Sequence, residues 1–557
     1  MTEPADSVRA RAIEAAREGR AGEAAALFDQ AVLRAPFNVS ILNSAAAFHA
    51  RQGQSERAIA ILRQAVAADA NDAEALLNLA LLLTQNNEPK QALALLEDRD
   101  TTLYTNVRYW SARANAERAI GRKRDALASF DRAARLDPQN SNALHGRARM
   151  SLETGLAAGD HYRHAVTANP GDATAWLGFA QALEAEGDAE QAQQIARSLV
   201  EQHPGWIEAL ELLAQLRWAA DDRKAFTDHY GGPSDVAVVL SRCRMLAGID
   251  RFAEAAEVAA EARAIHHTDP LLALVEAIHR GEAGDDDRAE SIFATLAVES
   301  VDRFVHEARH RLRIGQLNEA EELLARAIAA APDHIAAWAL RGIAWRLLGD
   351  PRADWLYQPD RLIRFISLEL DDEELGQAAA CLDRLHDGST MPVGQSVRNG
   401  SQTRGGLFDR HEREVAAIEQ GYRRAVDEYR EQLPPEDPTH PLLRYRNSPW
   451  TFAGSWSVRL FESGRHTEHI HPLGLLSSAA YFAVPAATGE ADSQREGWLE
   501  LGRPPPDLRL NLEPLTAIRP ELGSCALFPS FLYHGTRPFS AGKRMSVAID
   551  INLERER

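Results

Sequence analysis

The sequence predicts a multidomain protein in which an all-α solenoid of repeated helix pairs is followed by a small β-barrel of the jelly-roll type. The chain has 557 residues, too many for one ordinary hydrophobic core, so two or more domains are expected. One helical pattern recurs through about the first 350 residues. From Trp450 onward it gives way to short alternating runs broken by glycine and proline, which are typical of strands.

The helical pattern is clearest in three segments, "GEAAALFDQAVLRAPFN", "RDALASFDRAARLDPQN" and "NEAEELLARAIAAAPDH". Each has an alanine, a bulky residue four positions later, another alanine and then a proline. These positions are Ala24, Phe28, Ala31 and Pro36; Ala126, Phe130, Ala133 and Pro138; and Ala320, Leu324, Ala327 and Pro332. A glycine also precedes the first alanine by five positions, as in Gly19, Gly53, Gly121, Gly187, Gly284 and Gly315. Small residues let two helices approach closely, the bulky residue fills the gap, and glycine or proline ends each helix.

This pattern resembles the tetratricopeptide repeat, whose helix pairs follow one another every 34 residues or so. Ala126 lies three such periods after Ala24, and Trp110, Trp176 and Trp338 fall where the repeat favours a large residue. We expect about ten units between residues 5 and 350, some of them degenerate. The resemblance implies a concave surface that binds a peptide or protein. A spacer or a homodimer contact is the alternative role of the repeats.

The last 200 residues or so are predicted to form a mixed segment and then a β domain. Helices are expected near 373–386 and 407–432, separated by "MPVGQSVRNGSQTRGG". The candidate strands are "SWSVRLFES", "HTEHIHP", "SSAAYFAVP", "GWLELG", "TAIRP", "SCALFPS" and "RMSVAIDINL". So many short strands favour a jelly roll or a similar barrel. The predicted domains are a solenoid at 1–355, a linker and helical support at 356–448, and the barrel at 449–557. We expect the helices of the solenoid to share no core with the barrel.

Three histidines stand close together in "GRHTEHIHPLG". If "HTEHIHP" is a strand, His469 and His471 share one face and His466 points to the other, where a solvated or supporting role is expected. His534 ends a later strand, and Arg544 follows it by ten residues. Imidazoles can hold a divalent iron while leaving positions open, and a buried guanidinium can bind a carboxylate through two hydrogen bonds.

The segment from about 390 to 553 resembles the Fe(II)/2-oxoglutarate-dependent oxygenases, through "QSVRNGSQTRGGLF", "HIHPLGLLSSAAYFAVP", "LFPSFLYHGTRPF" and "KRMSVAIDINL". The resemblance implies a double-stranded β-helix that uses Fe(II), 2-oxoglutarate and O2. It also implies that His469 and His534 bind iron, and that Arg544 with Ser546 binds the 2-oxoglutarate carboxylate.

Position 471 departs from that superfamily, because histidine stands where an aspartate or glutamate is usual. One reading is that His471 itself binds the metal, which gives a three-histidine site with one negative charge fewer. The other reading leaves two protein ligands and water, as in relatives of aspartyl/asparaginyl β-hydroxylase. Strand alternation favours His471 as a ligand.

Several other residues are candidates for supporting roles. Tyr481 is a candidate to hydrogen-bond the cosubstrate carboxylate, or else a core aromatic residue. The stretch "QSVRNGSQT" is predicted to be a substrate-side loop or lid, because polar loops often carry function. Its candidate residues are Arg398, Asn399, Gln402 and Thr403.

Composition excludes several classes of protein. The net charge of −19 argues against a nucleic-acid binder, which needs a basic face. No apolar run approaches the ~20 residues that cross a bilayer, and the N-terminus carries no apolar signal segment. The three cysteines form no CxxC pair, which indicates a reducing compartment, and the cytoplasm is expected.

The leading hypothesis is therefore a 2-oxoglutarate-dependent dioxygenase that hydroxylates a side chain of a peptide or protein held by the repeats. A cupin-type metal dioxygenase is an alternative, since Gly464, His469 and His471 resemble the cupin signature. That signature wants a glutamate shortly after the histidine pair, and "HPLGLLSS" offers none. A non-catalytic repeat scaffold and an oxygenase acting on a small molecule are the remaining alternatives.

Overall fold

The computed structural model describes residues 3–97, 103–232, 234–387, 393–394, 396–486 and 494–554. By its internal contacts the chain divides into two compact units, Met1–Phe179 and Ala180–Glu554. The two units are described separately below.

The first unit is built from consecutive helices that pack against their neighbours in the chain. Their bounds are Ala5–Arg17, Ala21–Arg34, Val39–Arg51, Ser55–Ala68, Ala73–Gln85, Pro89–Leu96, Val107–Ala119, Lys123–Leu136, Ser141–Glu153 and Gly159–Ala168, and Ala173–Ala185 runs into the second unit. Asparagine begins several of them: the side chain of Asn38 accepts a hydrogen bond from the Ile41 amide at 3.2 Å, and Asn140 does so from Ala143 at 3.1 Å. Each such cap satisfies an amide that the helix leaves unpaired.

The repeat signature accounts for the packing of these helices. Ala24, Phe28 and Ala31 are buried, as are the corresponding residues of the other two segments. Gly19 has φ +78°, a left-handed conformation that ends the preceding helix and that glycine adopts without strain. The indole nitrogens of Trp110 and Trp338 each donate to a carbonyl six residues earlier, at 2.9 and 2.8 Å. The prediction of stacked helix pairs is confirmed.

The second unit continues with helices and then adds strands. The helix bounds are Ala189–Gln202, Ile207–Ala219, Val236–Ala247, Phe252–Arg263, Pro270–Glu282, Asp286–Phe293, Val301–Arg313, Leu317–Ala330, Ile335–Leu348, Arg352–Tyr357, Pro359–Leu362, Asp372–Asp387 and Arg413–Gln432. Short 3-10 turns lie at Asp228–Tyr230, Leu407–Asp409, Leu443–Tyr445 and Pro506–Leu508. The two helices expected after residue 370 are both present, although the second begins six residues later than predicted.

The strands form two antiparallel sheets. They are β1 (Arg364–Ser367), β2 (Val397–Gln402), β3 (Trp450–His466), β4 (Leu476–Ala483), β5 (Leu499–Leu501), β6 (Thr516–Ile518), β7 (Ser524–Pro529), β8 (His534–Thr536) and β9 (Arg544–Leu553). The larger sheet has the order β1-β7-β4-β9-β3-β2, and the smaller sheet has the order β6-β5-β8. The fold class predicted from the sequence, helical repeats followed by a jelly-roll type of sheet arrangement, is confirmed.

Two local predictions are wrong. "HTEHIHP" is not a strand, because β3 ends at His466 and His469 makes only an isolated bridge with His534. "QSVRNGSQT" is not simply a loop, because residues 397–402 pair with β3 as strand β2. Both differences involve the long strand β3, which runs from Trp450 to His466. Residues 397–402 pair with it, and the chain leaves it at His466.

One hydrophobic cluster joins the last repeat helices of the second unit to the sheets. It runs from Phe304 through Trp338 and Trp345 to Phe531 and Ile551. The expectation that repeat helices and barrel share no core is therefore wrong. The reason is that the outer faces of the last helices are apolar and cover the sheet instead of a further repeat.

Polar contacts reinforce that shared core. Asp507 accepts hydrogen bonds from Arg309, at 3.0 Å from Nε, and from Arg313 Nη2, at 2.8 Å. Burial raises the pKa of Asp507, but the two arginines lower it more, so the net pKa lies below the usual value. The guanidinium of Arg346 also donates to the carbonyl oxygens of Gly502 and Glu513.

Candidate metal centre

Three imidazoles converge where the segment after β3 forms an isolated bridge with the start of β8. His469, His471 and His534 each offer a ring nitrogen, and these three atoms lie within 4.8 Å of one another. The Nε2 atoms of His469 and His471 are 3.2 Å apart, and the ring centroids of His469 and His534 are 4.2 Å apart. Three nitrogens at this separation can share one cation.

Backbone pairing brings these histidines together although 63 residues or more separate His534 from the other two. The amide of His469 donates to the carbonyl of His534 at 3.0 Å, and the amide of His534 donates back at 2.9 Å. This two-bond bridge fixes both backbones directly opposite each other, so their side chains leave on the same side. His471, two residues along an extended segment, follows His469 onto that side.

Each ring is oriented by a hydrogen bond to its other nitrogen. Nδ1 of His469 lies 2.8 Å from the Thr467 carbonyl, and Nδ1 of His534 lies 3.1 Å from the Leu532 carbonyl. Nδ1 of His471 is hydrogen-bonded to the carboxylate of Asp550. Because a carbonyl or carboxylate can only accept, each Nδ1 carries the proton, and all three Nε2 lone pairs are left to face one another.

Burial keeps two of these rings neutral. It lowers the pKa of His469 to about 3, with a smaller contribution from neighbouring His471, and holds the pKa of His534 well below its usual value. A neutral imidazole is the form that binds a metal, since a protonated ring has no free lone pair. At neutral pH the pair needs no proton loss before it can bind a cation.

His466 does not point to the opposite face, as alternation along a strand predicted. Its ring stacks on that of His469 at a centroid distance of 5.9 Å, and the Ser396 hydroxyl lies 3.1 Å from His466 Nδ1 and 3.4 Å from His469 Nε2. The prediction fails because the chain leaves β3 at His466 and turns before His469. Burial lowers the pKa of His466 well below its usual value.

Arg544 lies in the same cavity, and its side chain is fully buried with 1% exposed. Its Nε donates to the Gly497 carbonyl at 3.1 Å, its Nη1 lies 3.4 Å from the Ser546 hydroxyl, and its guanidinium carbon lies 4.9 Å from the ring centroid of Tyr481. None of the carboxylates that the structure describes forms an ion pair with it. A buried guanidinium without a carboxylate partner is costly, which makes it an anion-binding group.

Tyr481 stands beside this guanidinium as a completely buried residue. Its hydroxyl has no hydrogen-bond partner among the described residues, and burial raises its pKa to about 12. Buried hydroxyls are normally hydrogen-bonded, so this one has capacity for a ligand atom.

The cavity beside the three histidines and Arg544 has a volume of about 410 Å³, and Tyr481 lies behind Arg544 and does not line it. The histidines and Arg544 line it together with Trp456 and Leu473. A volume of this size accommodates a small dicarboxylate as well as a cation.

The four substrate-side candidates lie in different places. Gln402 lines the cavity. Arg398 pairs with Asp250 at 2.9 Å, and the Asn399 amide donates to the Glu462 carbonyl at 2.5 Å. The Thr403 hydroxyl accepts from the Ser457 amide at 2.9 Å, which extends the pairing of β2 with β3. Only Gln402 of the four is brought to the three histidines.

Sequence reasoning missed Asp550, which orients His471. The signal was present in "RMSVAIDINL", where Asp550 is a lone acid in a buried strand. Alternation from Arg544 places Ser546, Ala548 and Asp550 on one face, and all four line the cavity. Ser396 was missed as well, and no signal in its surroundings distinguishes it.

Comparison with protein families gives two kinds of match. Residues 454–550 match the family described as "Putative 2OG-Fe(II) oxygenase". One tetratricopeptide-repeat family matches residues 49–116 and 156–216. A second tetratricopeptide-repeat family matches residues 9–73, 111–160 and 306–353. No curated protein matches the chain.

Several solved structures are similar to part of the chain. PilW, a type IV pilus biogenesis factor, is 20% identical and has a TM-score of 0.34, covering 38% of this chain and 98% of its own. PilF of Pseudomonas aeruginosa is 18% identical with a TM-score of 0.34, covering 38% and 96%. YrrB, described as a TPR protein with an unusual peptide-binding site, is 22% identical with a TM-score of 0.27, covering 30% and 88%. Among the residues described, no helix is both long and apolar enough to cross a bilayer.

Proposed function

The chain contains tetratricopeptide repeats and a 2OG-Fe(II) oxygenase domain, and on this premise we propose that it is a dioxygenase that hydroxylates a side chain of a peptide or protein. The observation that carries the proposal is the pairing, in one cavity, of three converging imidazoles with the buried Arg544, which has no ion-pair partner among the described residues.

The donor set fits Fe(II). His469, His471 and His534 would hold the ion through Nε2, and three protein nitrogens leave positions open for a cosubstrate and O2. The Asp550 carboxylate, one hydrogen bond behind His471, offsets part of the charge that the missing acid at position 471 would supply. We therefore favour three ligands over the alternative of two histidines and water.

The group formed by Arg544, Ser546 and Tyr481 fits 2-oxoglutarate. Arg544 would bind its distal carboxylate through the face of the guanidinium not used by Gly497, and Ser546 and Tyr481 would supply hydroxyl donors. The Tyr481 hydroxyl would then gain the hydrogen bond that its buried position otherwise lacks. The carboxylate in turn neutralises a buried cation.

The bound iron would supply the oxidising chemistry, coupled to decarboxylation of 2-oxoglutarate to succinate. The residues of this chain have simpler tasks. The imidazoles hold the ion in a fixed position, Arg544 fixes the cosubstrate, and the indole of Trp456 packs beside the ring of His471 at a centroid distance of 5.5 Å. The substrate side chain is positioned by contacts outside the cavity.

We further propose that the repeats contribute those contacts, since tetratricopeptide arrays commonly present a peptide- or protein-binding surface. The three cysteines are free and buried, which supports the expectation of a cytoplasmic protein. A homodimer through the repeats remains the alternative use of their surface.

The test is an anaerobic titration of the full-length protein with Fe(II) and then 2-oxoglutarate. We expect a weak visible metal-to-ligand charge-transfer band that saturates at one equivalent of each. Arg544→Ala should abolish the band while Fe(II) still binds. Absence of the band in the unaltered protein at saturating Fe(II) and 2-oxoglutarate would refute the proposed function.

A further inference from the structure

A second cavity adjoins the metal cavity within the second unit. It has a volume of about 920 Å³, at the upper end of the range for small-molecule sites. The two cavities share His469, Ile470 and Pro472. One segment of the chain therefore forms the boundary between the candidate metal centre and a much larger space. We call this larger space the inter-layer groove.

The walls of the inter-layer groove come from the repeat helices and from the catalytic domain. Val305 and His306 lie on the helix Val301–Arg313, and Phe252 lies on the helix Phe252–Arg263. Opposite them are Glu468 and Pro505. Both walls combine apolar side chains, such as Val305 and Ile470, with charged ones, such as Asp302 and Arg465, so the groove suits a chain segment that carries both kinds of side chain.

Ion pairs hold the two walls in place and use up most of the positive charge in the groove. Asp507 binds both Arg309 and Arg313, and Arg509 binds Asp286 at 2.7 Å. Since these pairs lie across the two walls, the groove is a built feature of the fold and not a gap between loosely placed parts. The guanidiniums engaged in them are not available to a ligand's carboxylate.

Glu468 takes no part in these ion pairs. Its carboxylate lines the groove next to His469, and it has neither a hydrogen bond nor an ion pair to a side chain in the part of the chain that the structure describes. A cationic side chain that enters the groove would pair with this carboxylate, whereas an anionic one would be repelled by it.

His306 provides a second, independent sign that the groove receives a ligand. Its Nδ1 atom is buried and has no hydrogen-bond partner among the described residues. Burial lowers the pKa of His306 to about 4, so the ring is neutral at pH 7 and offers a hydrogen bond but no charge. A peptide backbone, with alternating donors and acceptors, is a suitable partner for such a group.

We infer that the inter-layer groove binds an extended segment of the substrate protein, with a lysine or arginine side chain on Glu468 close to the residue that reaches the metal centre. The inference rests on the proposed function and specifies its substrate class. The volume of the groove, about 920 Å³, lets binding energy from several residues position one side chain at the metal, which a small molecule could not exploit.

The test uses the full-length protein and two pools of fluorescein-labelled dodecapeptides with randomised flanks. One pool has lysine at its central position and the other has glutamate. Fluorescence anisotropy, measured without iron or 2-oxoglutarate, should show that the lysine pool binds about tenfold more tightly. Glu468→Gln should remove most of that preference, and Glu468→Lys should reverse it.

Two matched controls separate the groove from general effects. Glu462→Gln changes an exposed acid on β3, outside the groove, and should leave the preference intact. Phe252→Ala should weaken both pools, whereas Phe37→Ala, at a phenylalanine that is 78% exposed, should weaken neither. Circular dichroism of each variant establishes that it is folded.

Equal binding of the two pools, or a lysine preference that survives Glu468→Gln, overturns the inference. The inference is also overturned if free lysine binds to the protein and neither peptide pool does. That result would favour a small-molecule substrate. Failure of the proposed function would give a different result, the absence of the charge-transfer band. Peptide binding is measured without iron or 2-oxoglutarate, so it tests the inference separately.

Discussion

Asp550 and His471 are joined by a hydrogen bond from the imidazole Nδ1 to the carboxylate Oδ1, and Ser477 donates to the same oxygen at 3.4 Å. The carboxylate thus lies one bond behind a candidate metal ligand. It fixes the tautomer of His471 and makes its Nε2 more basic.

The first prediction concerns that contact. Asp550→Asn keeps an oxygen for His471 but loses the charge, whereas Asp550→Ala loses both. We expect Fe(II) affinity to fall about tenfold in the first variant and up to about a hundredfold in the second. Equilibrium dialysis measures both values, with Asn552→Ala on the same strand as the control. Equal affinities in all of these variants would show that Asp550 does not tune the metal centre.

The second prediction concerns the ligands. His469→Ala and His534→Ala should each abolish stoichiometric Fe(II) binding, because a two-nitrogen remnant holds the ion poorly. The exposed His164→Ala is the matched control and should bind normally. Stoichiometric iron in either ligand variant would remove that residue from the assignment.

The third prediction decides between the two readings of position 471. If His471 is a ligand, His471→Ala loses most of the bound iron and His471→Asp recovers it with a conventional two-histidine, one-carboxylate set. Iron content and the charge-transfer band measure both variants. Normal iron binding by His471→Ala would establish the two-histidine alternative.

The fourth prediction concerns Arg544. Arg544→Lys keeps a positive charge but loses the planar fork, so the concentration of 2-oxoglutarate needed for half-saturation should rise tenfold or more. Fe(II) affinity should stay nearly unchanged, since Arg544 is not among the three residues that would bind the ion. Arg361→Lys, at an exposed helix position, is the control. An unchanged requirement would mean that the carboxylate binds elsewhere.

The fifth prediction concerns pH and stability. Burial lowers the pKa of His440 to about 4, and the ring is held neutral because Nδ1 accepts from the amides of Leu442 and Leu443 at 3.1 Å. The unfolded chain binds a proton at this position near its usual pKa of about 6.5, so it holds more protons than the folded chain between pH 4 and 6.5. The free energy of unfolding should therefore fall as the pH drops through that window, by up to about 1.4 kcal/mol per pH unit for this group.

Urea unfolding at pH 7.5, 6 and 5 measures this slope. His440→Gln should lower the free energy of unfolding at neutral pH. It should also reduce the dependence of that free energy on pH, by the amount that corresponds to at most one proton. The exposed His411→Gln should leave the pH dependence unchanged. An identical slope in the His440 variant would assign the acid sensitivity to other groups, such as His386, whose pKa burial also lowers to about 4.

How much of this could be predicted from the sequence differs from place to place. The helix pairs were predictable because their signature is local: Ala24, Phe28 and Ala31 lie within two turns of one helix. The convergence of His469 and His534 was predictable only through the family resemblance, since their backbone bridge joins residues far apart in sequence. His466 was misplaced because the end of β3 depends on pairing partners that periodicity does not reveal.

The shared core could not be predicted for a related reason. Trp338 occupies the same repeat position as Trp110 and Trp176, but it belongs to the core shared with the sheets. The sequence shows only a large residue at that position, and it does not show whether the residue packs on another repeat or on a sheet. Only the contacts of the folded chain distinguish the two cases. The interpretation of Thr403 as a substrate-side residue has a similar origin, because a polar stretch without periodicity gives no sign that it will extend a strand pair.

The contacts of Asp507 with Arg309 and Arg313 bear on how such a gene can be rearranged. A recombination that exchanges the repeat array at residue 355 would join a new array lacking both arginines to a sheet that still carries the buried acid, and the uncompensated carboxylate would disfavour the product. A crossover before residue 301 transmits all three residues together. Exchange of repeats during divergence is therefore expected to leave the last helix pair linked to the oxygenase domain, as one heritable block.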